Sequence, residues 1–240
     1  AGSEEPNAIV QINNNTNVTE PNVRATEVEI YEGLEASSQN CWPSVNFDIG
    51  GINNAISAFL PAGFYYKTFM WPASFWEKYE FFIRHSAGLG KSPTEKDPDI
   101  YDHRNIHCDV LVVGAGISGI LAAKNAAKNN LKTLLVDEKN ELGGATIYQN
   151  RDFNKIENQS SSDWIKKEIQ ELKNIKNLEI KTRTSVAAYH GYNYLLAREN
   201  LTDHLEKKDK QGKIRQRLLK IRAKKVILAT GALERPLIFN

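Results

Sequence analysis

Apolar positions change their spacing at Cys108, and from there the chain follows a strand–helix–strand pattern. Val110-Leu111-Val112-Val113, introduced by Asp109, is a continuous apolar run, as a parallel strand buried on both faces requires. Ile117–Asn129 is Ala-rich and predicts a helix, with Ile120, Leu121, Ala123 and Ala127 turned to a sheet. Thr133-Leu134-Leu135-Val136 predicts a second buried strand. Ser162–Ile175 places Trp164, Ile165, Ile169, Leu172 and Ile175 at helical spacing. Leu178–Ala188 reads as one strand. Tyr194–Ala197 and Leu218–Ile221 read as strands flanking the charged loop Glu206–Lys213, and Lys225–Ala229 as a final buried strand. No internal repeat is present.

Before Cys108 the pattern is weaker. Residues 1–30 are polar and Asn-rich, with apolar stretches only at Ala8–Ile12 and Val28–Ile30. They read as the end of a small preceding domain followed by a loop. Residues 31–91 crowd together Trp42, Phe47, Phe59, Phe64, Tyr65, Tyr66, Phe69, Trp71, Phe75, Trp76, Tyr79, Phe81 and Phe82. Pro43, Pro61 and Pro72 interrupt them, each disfavouring helix in the residue before it. A helix is predicted over Ser74–His85, with Ser74 as N-cap. The motif Pro61–Pro72 reads as an aromatic layer packing one domain on another. Its alternative is a flavin lining or subunit contact, with Lys67 near the cofactor. Residues 92–107 read as an extended, solvated linker on account of Pro93, Pro98 and their charges. His103 and His107 would suit a metal only if they stood on a helix. The expected division is therefore 1–30, 31–107 and 108–240.

Composition narrows the classes. An apolar share of 41% with 25% charged residues fits a globular protein. No apolar run approaches the roughly 20 residues that span a bilayer, and the polar start carries no secretory signal. The 31 basic and 29 acidic residues nearly cancel, which speaks against nucleic acid as a partner. The lysines of Lys207–Lys225 read as a solvated face. Two cysteines are too few for a disulfide framework or an iron–sulfur cluster, so a cytoplasmic setting is expected, with Cys108 a reduced packing thiol. The sequons at Asn14, Asn17, Asn158 and Asn200 are expected by chance. The chain starts at Ala1 and stops just after a strand and turn, so both ends are expected to be cuts through a longer protein.

The chemistry lies where the pattern changes. Gly114-Ala115-Gly116-Ile117-Ser118-Gly119 matches G-x-G-x-x-G directly after a buried strand and at the start of a helix. Gly114 allows the tight turn, Gly116 lets pyrophosphate approach the backbone, and Gly119 lets helix pack on sheet. The amides near Ile117 and Ser118 then face the phosphates, with the helix dipole adding to their attraction. Asp137-Glu138 ends the second strand about 20 residues further on, where a carboxylate accepts hydrogen bonds from an adenosine ribose and repels a 2′-phosphate. Leu142-Gly143-Gly144 allows backbone to pass close to a cofactor. Thr230-Gly231 closes the last strand, and Val186 completes the candidate binding set. The order points to an α/β fold: a Rossmann-like FAD/NAD(P)-binding domain of the flavoprotein type with two dinucleotide-binding domains. A small ferredoxin-like domain and the aromatic-rich connecting segment would precede it. No Cys-x-x-Cys pair and no convincing Ser/His/Asp arrangement is present. His190 reads as a strand-end residue, so no catalytic residue is assigned.

Several strings carry a family resemblance: Glu4-Glu5-Pro6-Asn7-Ala8, Ser38-Gln39-Asn40-Cys41-Trp42-Pro43-Ser44, Pro61–Pro72, His107–Gly114, Asn193-Tyr194, Thr202-Asp203-His204-Leu205, Arg215-Gln216-Arg217-Leu218, Ala229–Ala232 and Glu234-Arg235-Pro236. Together they resemble the alpha subunits of heterotetrameric sarcosine oxidase, with Cys41 standing where a basic residue would be expected. The resemblance implies an oxidoreductase acting on the CH–NH group of sarcosine. Such an enzyme yields glycine and peroxide and passes a one-carbon unit to tetrahydrofolate. It implies noncovalent NAD in this chain, held by the glycines above, Asp137 and Thr230. It also implies FAD in a beta subunit, FMN near the subunit boundary, and two smaller subunits. The alternatives are an FAD-binding subunit of a related proline, hydroxyproline or opine dehydrogenase, a non-catalytic assembly module with a structural nucleotide, and a self-contained NAD-dependent reductase.

Overall fold

The computed structural model describes residues 9–14, 18–39, 41, 43–44, 46–51, 71–90, 93–147 and 155–232. The chain divides into two compact units, Ala1–Pro98 with His204–Asp209, and Asp99–Asp203 with Lys210–Asn240.

In the first unit, β1 (Ile9–Asn14) lies between β2 (Val18–Arg24) and β3 (Glu35–Ser38), antiparallel to both. Ile12 is its buried apolar anchor. The helix expected from Ser74 begins two residues later, as α1 (Trp76–Ser86). Ser74 sits inside a 3₁₀ turn, Ala73–Phe75, closed by Phe75 N–H donating to the Pro72 carbonyl at 3.0 Å. A residue inside that turn does not act as the helix N-cap. Of the aromatic segment, Trp71, Phe75, Trp76 and Phe81 are exposed. Trp42, Phe59 and residues 61–70, Lys67 among them, lie outside the described residues.

The second unit is the α/β body. Its elements are β4 (Ile100–Val113), α2 (Ile117–Lys128), β5 (Thr133–Val136), α3 (Ser161–Lys173), β6 (Leu178–Lys181), β7 (Thr184–His190), β8 (Tyr194–Asn200) and β9 (Ile214–Leu228). One sheet runs β6–β5–β4–β9–β8–β7. The first four strands are parallel and the last two antiparallel. Alternation along β4 and β5 divides the core. Val110, Val112 and Leu135 pack with Ile120 and Ala123 of α2 and Leu172 of α3. Leu111, Val113, Leu134 and Val136 join Leu195, Ala197, Leu219 and Ile221 of the antiparallel part. Burial on both faces explains the unbroken apolar runs.

Four sequence readings need correction. Residues 100–107 are strand and not linker, because β4 pairs with β9 from Ile100 onward. The acids read as solvated are matched across strands: Arg217 holds Asp102 at 2.7 and 3.0 Å, and Arg215 holds Asp99 at 2.7 Å. Leu178–Ala188 is two strands, broken at Arg183, whose φ is +50°. Leu218–Ile221 and Lys225–Ala229 are parts of one strand, β9. Its end is not buried, since Ile227 is 37% and Leu228 60% exposed. The last β8 partner, Tyr194, stands opposite Arg222, so beyond it β9 is paired only to β4 among the described residues.

One ion cluster ties the two helices together. Lys124 of α2 reaches Glu168 at 2.5 Å and Glu171 at 2.7 Å on α3. Burial works against the Lys124 charge, and hydrogen bonds to the two carboxylates outweigh it, leaving its pKa above the ordinary lysine value. No helix among the described residues is long and apolar enough to cross a membrane.

Two outcomes follow. Lys124→Ala strands Glu168, whose side chain is 8% exposed, and is expected to cost about 3 kcal/mol by urea denaturation. The pair Lys124→Met with Glu168→Leu is expected to recover most of that loss. A full loss in both variants would contradict a desolvated charge as the cause. The hydrogen bond from Arg217 holds Asp102 below the usual carboxylate range. Its stabilisation is complete above the unfolded value of about 4 and is lost as pH falls through the folded one. Asp102→Asn should therefore flatten the acid limb of the stability–pH curve and leave the neutral-to-alkaline slope unchanged.

Candidate nucleotide-binding site

The site begins where β4 ends. Gly114 adopts φ +97°, and a Cβ there would stand 2.3 Å from the Ala229 carbonyl oxygen. Its N–H donates to the Val136 carbonyl at 2.8 Å, while Ala229 N–H donates to the Val113 carbonyl at 2.7 Å. The turn is thus clamped between the ends of β5 and β9. Helix α2 starts at once, with Gly116 as its cap and Ile120 N–H donating to the Gly116 carbonyl at 2.9 Å. A Cβ on Gly119 would lie 1.9 Å from the Gly114 carbonyl oxygen, so only glycine allows the helix so near the turn.

Gly116 is different. A Cβ there would meet nothing closer than the Gly144 Cα, at 4.0 Å, and its φ of −71° suits any residue. Packing does not require glycine here; room above the backbone does. The first-turn amides of Ile117, Ser118 and Gly119 have no intrahelical acceptors and lie at the positive end of the helix dipole. Backbone donors beside an open glycine suit a diphosphate.

Asp137 fastens the loop. One carboxylate oxygen accepts from Ala115 N–H at 2.5 Å and the other from Lys139 N–H at 2.8 Å. Each oxygen has a second lone pair, so capacity remains for ribose hydroxyls. Glu138, its neighbour, is exposed.

The Gly143–Gly144 pair lies against the backbone of the loop. Gly143 N–H donates to the Ala115 carbonyl at 2.8 Å, and a Cβ on Gly144, at φ +58°, would stand 2.9 Å from the Gly116 Cα. The pair packs backbone to backbone on the phosphate loop itself. Thr146, buried, donates its hydroxyl to the Gly143 carbonyl and fixes this turn. The sequence reading missed Thr146; its signal was a hydroxyl three residues beyond a glycine. Thr230 and Gly231 stand beside the loop at the end of β9. The Thr230 Cα is 3.1 Å from where a Gly114 Cβ would be, and Gly231 is open at φ +70°. Val186 lies on β7, which starts with Thr184 N–H donating to the Asp137 carbonyl at 2.8 Å, and packs against the sheet core.

The structure therefore brings together Gly114, Gly116, Ile117, Ser118, Gly119, Asp137, Gly143, Gly144, Thr230 and Gly231. Val186 is partly buried against the sheet core, and Glu138, next to Asp137, is exposed. The Cys108 thiol, on β4, is pushed up to about 11 by burial, so it packs as a neutral thiol. His103 and His107 stand on a strand, about 13 Å apart along it.

Residues 109–224 match the family described as FAD dependent oxidoreductase. The chain is 45% identical over 241 aligned positions to sarcosine oxidase subunit alpha of Rhizobium meliloti (strain 1021), covering all of this chain and 24% of that protein. It is 38% identical over 154 residues to the corresponding subunit of Corynebacterium sp. (strain U-96), covering 64% of this chain and 16% of that one. Among solved structures, an L-proline dehydrogenase from P. horikoshii aligns with TM-score 0.45 and 23% identity, over 62% of this chain and 27% of that chain.

The glycines separate folding from binding. Gly119→Ala is expected to lose about 3 kcal/mol or more, because the obstructing atom is backbone. Gly116→Ala is expected to stay within about 1 kcal/mol of the parent yet bind ADP at least about tenfold more weakly. Thermal unfolding and ADP titration of both variants check this. Equal ADP affinity for Gly116→Ala and the parent would contradict the assigned role.

Proposed function

Because the chain is homologous along its whole length to sarcosine oxidase subunit alpha, we propose that it is the dinucleotide-binding part of such a subunit in a sarcosine-oxidase-like complex. The observation that carries this is the loop Gly114–Gly119, closed by Asp137, Ala229 and the Gly143–Gly144 turn, with Gly116 alone left open. The chain spans 24% of the Rhizobium relative, so activity and partners are proposed for the whole protein and not read from this part.

On this reading the complex oxidises sarcosine to glycine with release of peroxide and transfers the one-carbon unit to tetrahydrofolate. Its flavins, FAD and FMN, lie with or against a beta subunit, and two smaller subunits complete it. The amine-oxidising groups belong to other parts of the complex. In this chain the amides of Ile117 and Ser118 hold the pyrophosphate and Asp137 the adenosine ribose, while Gly143–Gly144 buttresses the loop. When bound, the nucleotide supplies the diphosphate and adenosine that these groups recognise. We assign NAD on the resemblance to sarcosine oxidase subunit alpha; the carboxylate at the ribose disfavours a 2′-phosphate and so speaks against NADP. The setting is cytoplasmic, in keeping with two free cysteines.

A second reading, FAD at this site as in a related amine or opine dehydrogenase, draws on the FAD-dependent oxidoreductase match over residues 109–224. Mass spectrometry and absorbance of nucleotide released from the purified full-length subunit separate the two. NAD without a visible flavin band is the expected result. Released FAD would overturn the NAD assignment in favour of the second reading, and no retained nucleotide would overturn both.

A further inference from the structure

Thr146 lies in the 3₁₀ turn Gly144–Ile147 and is 8% exposed, so its hydroxyl needs a protein partner. It donates to the Gly143 carbonyl. That carbonyl and the Gly143 N–H belong to the two peptide groups flanking the Gly143 Cα, and the N–H donates to the Ala115 carbonyl at 2.8 Å. Gly143 stands at φ +130° and Gly144 at φ +58°. Successive glycines give up more backbone freedom on ordering than other residues do. The bonds on either side of Gly143 are what hold this pair in one conformation. Packing seats the turn as well: a Cβ on Gly143 would lie 2.9 Å from the Ile147 side chain and 3.2 Å from that of Ile165 on α3.

The consequence falls on the phosphate loop. Ala115 is gripped at both ends, its N–H donating to Asp137 at 2.5 Å and its carbonyl accepting from Gly143. The Ala115–Gly116 peptide is trans, so its N–H points opposite to its carbonyl. By drawing the Ala115 carbonyl toward itself, Gly143 therefore sets the direction of the Gly116 N–H. Steric packing does little of this, since a Cβ on Gly116 would meet nothing closer than 4.0 Å. Were that peptide turned over, a carbonyl oxygen would stand in place of the N–H. A diphosphate would then meet a negative dipole end where it needs a donor.

We propose that Thr146 is a positioning residue for the diphosphate. Through Gly143, its hydroxyl keeps the Ala115–Gly116 peptide turned with the N–H available to the anion. The inference rests on the nucleotide-binding reading above and deepens it, because it names a side chain outside the glycine loop that sets the loop's affinity.

The test uses the full-length subunit stripped of nucleotide and titrated with ADP by calorimetry. Melting temperature and hydrogen exchange over residues 115–119 are followed alongside. Thr146→Val keeps the side-chain volume and loses the donor; Thr146→Ser keeps the donor and loses a methyl group. Both lower the melting temperature, the first through an unpaired buried carbonyl and the second through a small void. Their ADP affinities part. Thr146→Val should bind at least about tenfold more weakly, the loss expected when one amide no longer meets the anion, while Thr146→Ser stays within about threefold of the parent. Exchange over residues 115–119 in the stripped protein should quicken in Thr146→Val and not in Thr146→Ser. If Thr146→Val does not fold, Thr146→Ala, which also lacks the donor, carries the same expectation. Equal ADP affinity for the parent and the variant without the donor overturns the proposal. So does a Thr146→Ser variant that loses as much affinity as Thr146→Val, since the methyl group and not the hydroxyl would then be the cause. A parent that binds no ADP overturns the nucleotide reading itself, and this inference with it.

Discussion

The absence of a side chain at Gly119 governs the nucleotide-binding half of this protein. With a Cβ 1.9 Å from the Gly114 carbonyl oxygen, helix α2 could not start where it does. If it started elsewhere, its first amides would not converge above Gly116. The constraint propagates outward. Gly114 must turn at positive φ because Ala229 runs against it, and Ala229 is held there by pairing with Val113. Asp137 is then within reach of Ala115, and the Gly143–Gly144 turn settles on Gly116. Three strand ends, one helix and one loop are locked by contacts that are almost all backbone to backbone. Such a loop holds its shape before a ligand arrives, which spares the ordering cost of binding.

What was legible in the sequence follows the range of the determining contacts. The loop, α2, β5 and α3 were all readable, because each is set by local pattern: a glycine spacing, an apolar run of four, an amphipathic repeat. The charged run before Cys108 was misread because its acids are neutralised by Arg215 and Arg217, more than a hundred residues away. A window that sees only Asp99 and Asp102 sees a solvated linker. Val226–Leu228 has the composition of a central strand, yet its exposure depends on where β8 stops, which no local signal records. The Gly143–Gly144 pair was located but its contact was not. Glycine marks a close approach, and only the fold says to what.

Charge placement divides the same body into two surfaces. At the loop, the single carboxylate of Asp137 meets the backbone amides of Ala115 and Lys139. On the outward face of β8 and β9, Arg198, Lys220 and Arg222 stand at alternate positions, and Lys224 is paired with Asp109. The first surface is built of backbone groups fixed by the surrounding strand ends. The parallel strands that deliver Gly114 also deliver Arg222 and Lys224, so one sheet supports both.

Hydrogen exchange on the full-length subunit, stripped of nucleotide and then saturated with ADP, tests the central claim most directly. The account predicts new protection at the amides of residues 115–119 and around Asp137, with little change elsewhere in the α/β body. Already slow exchange of Gly114 and Gly143 in the stripped protein is also predicted, because the loop is pre-built. Protection that appears away from the loop, or a loop that becomes ordered throughout only when ADP binds, would contradict it.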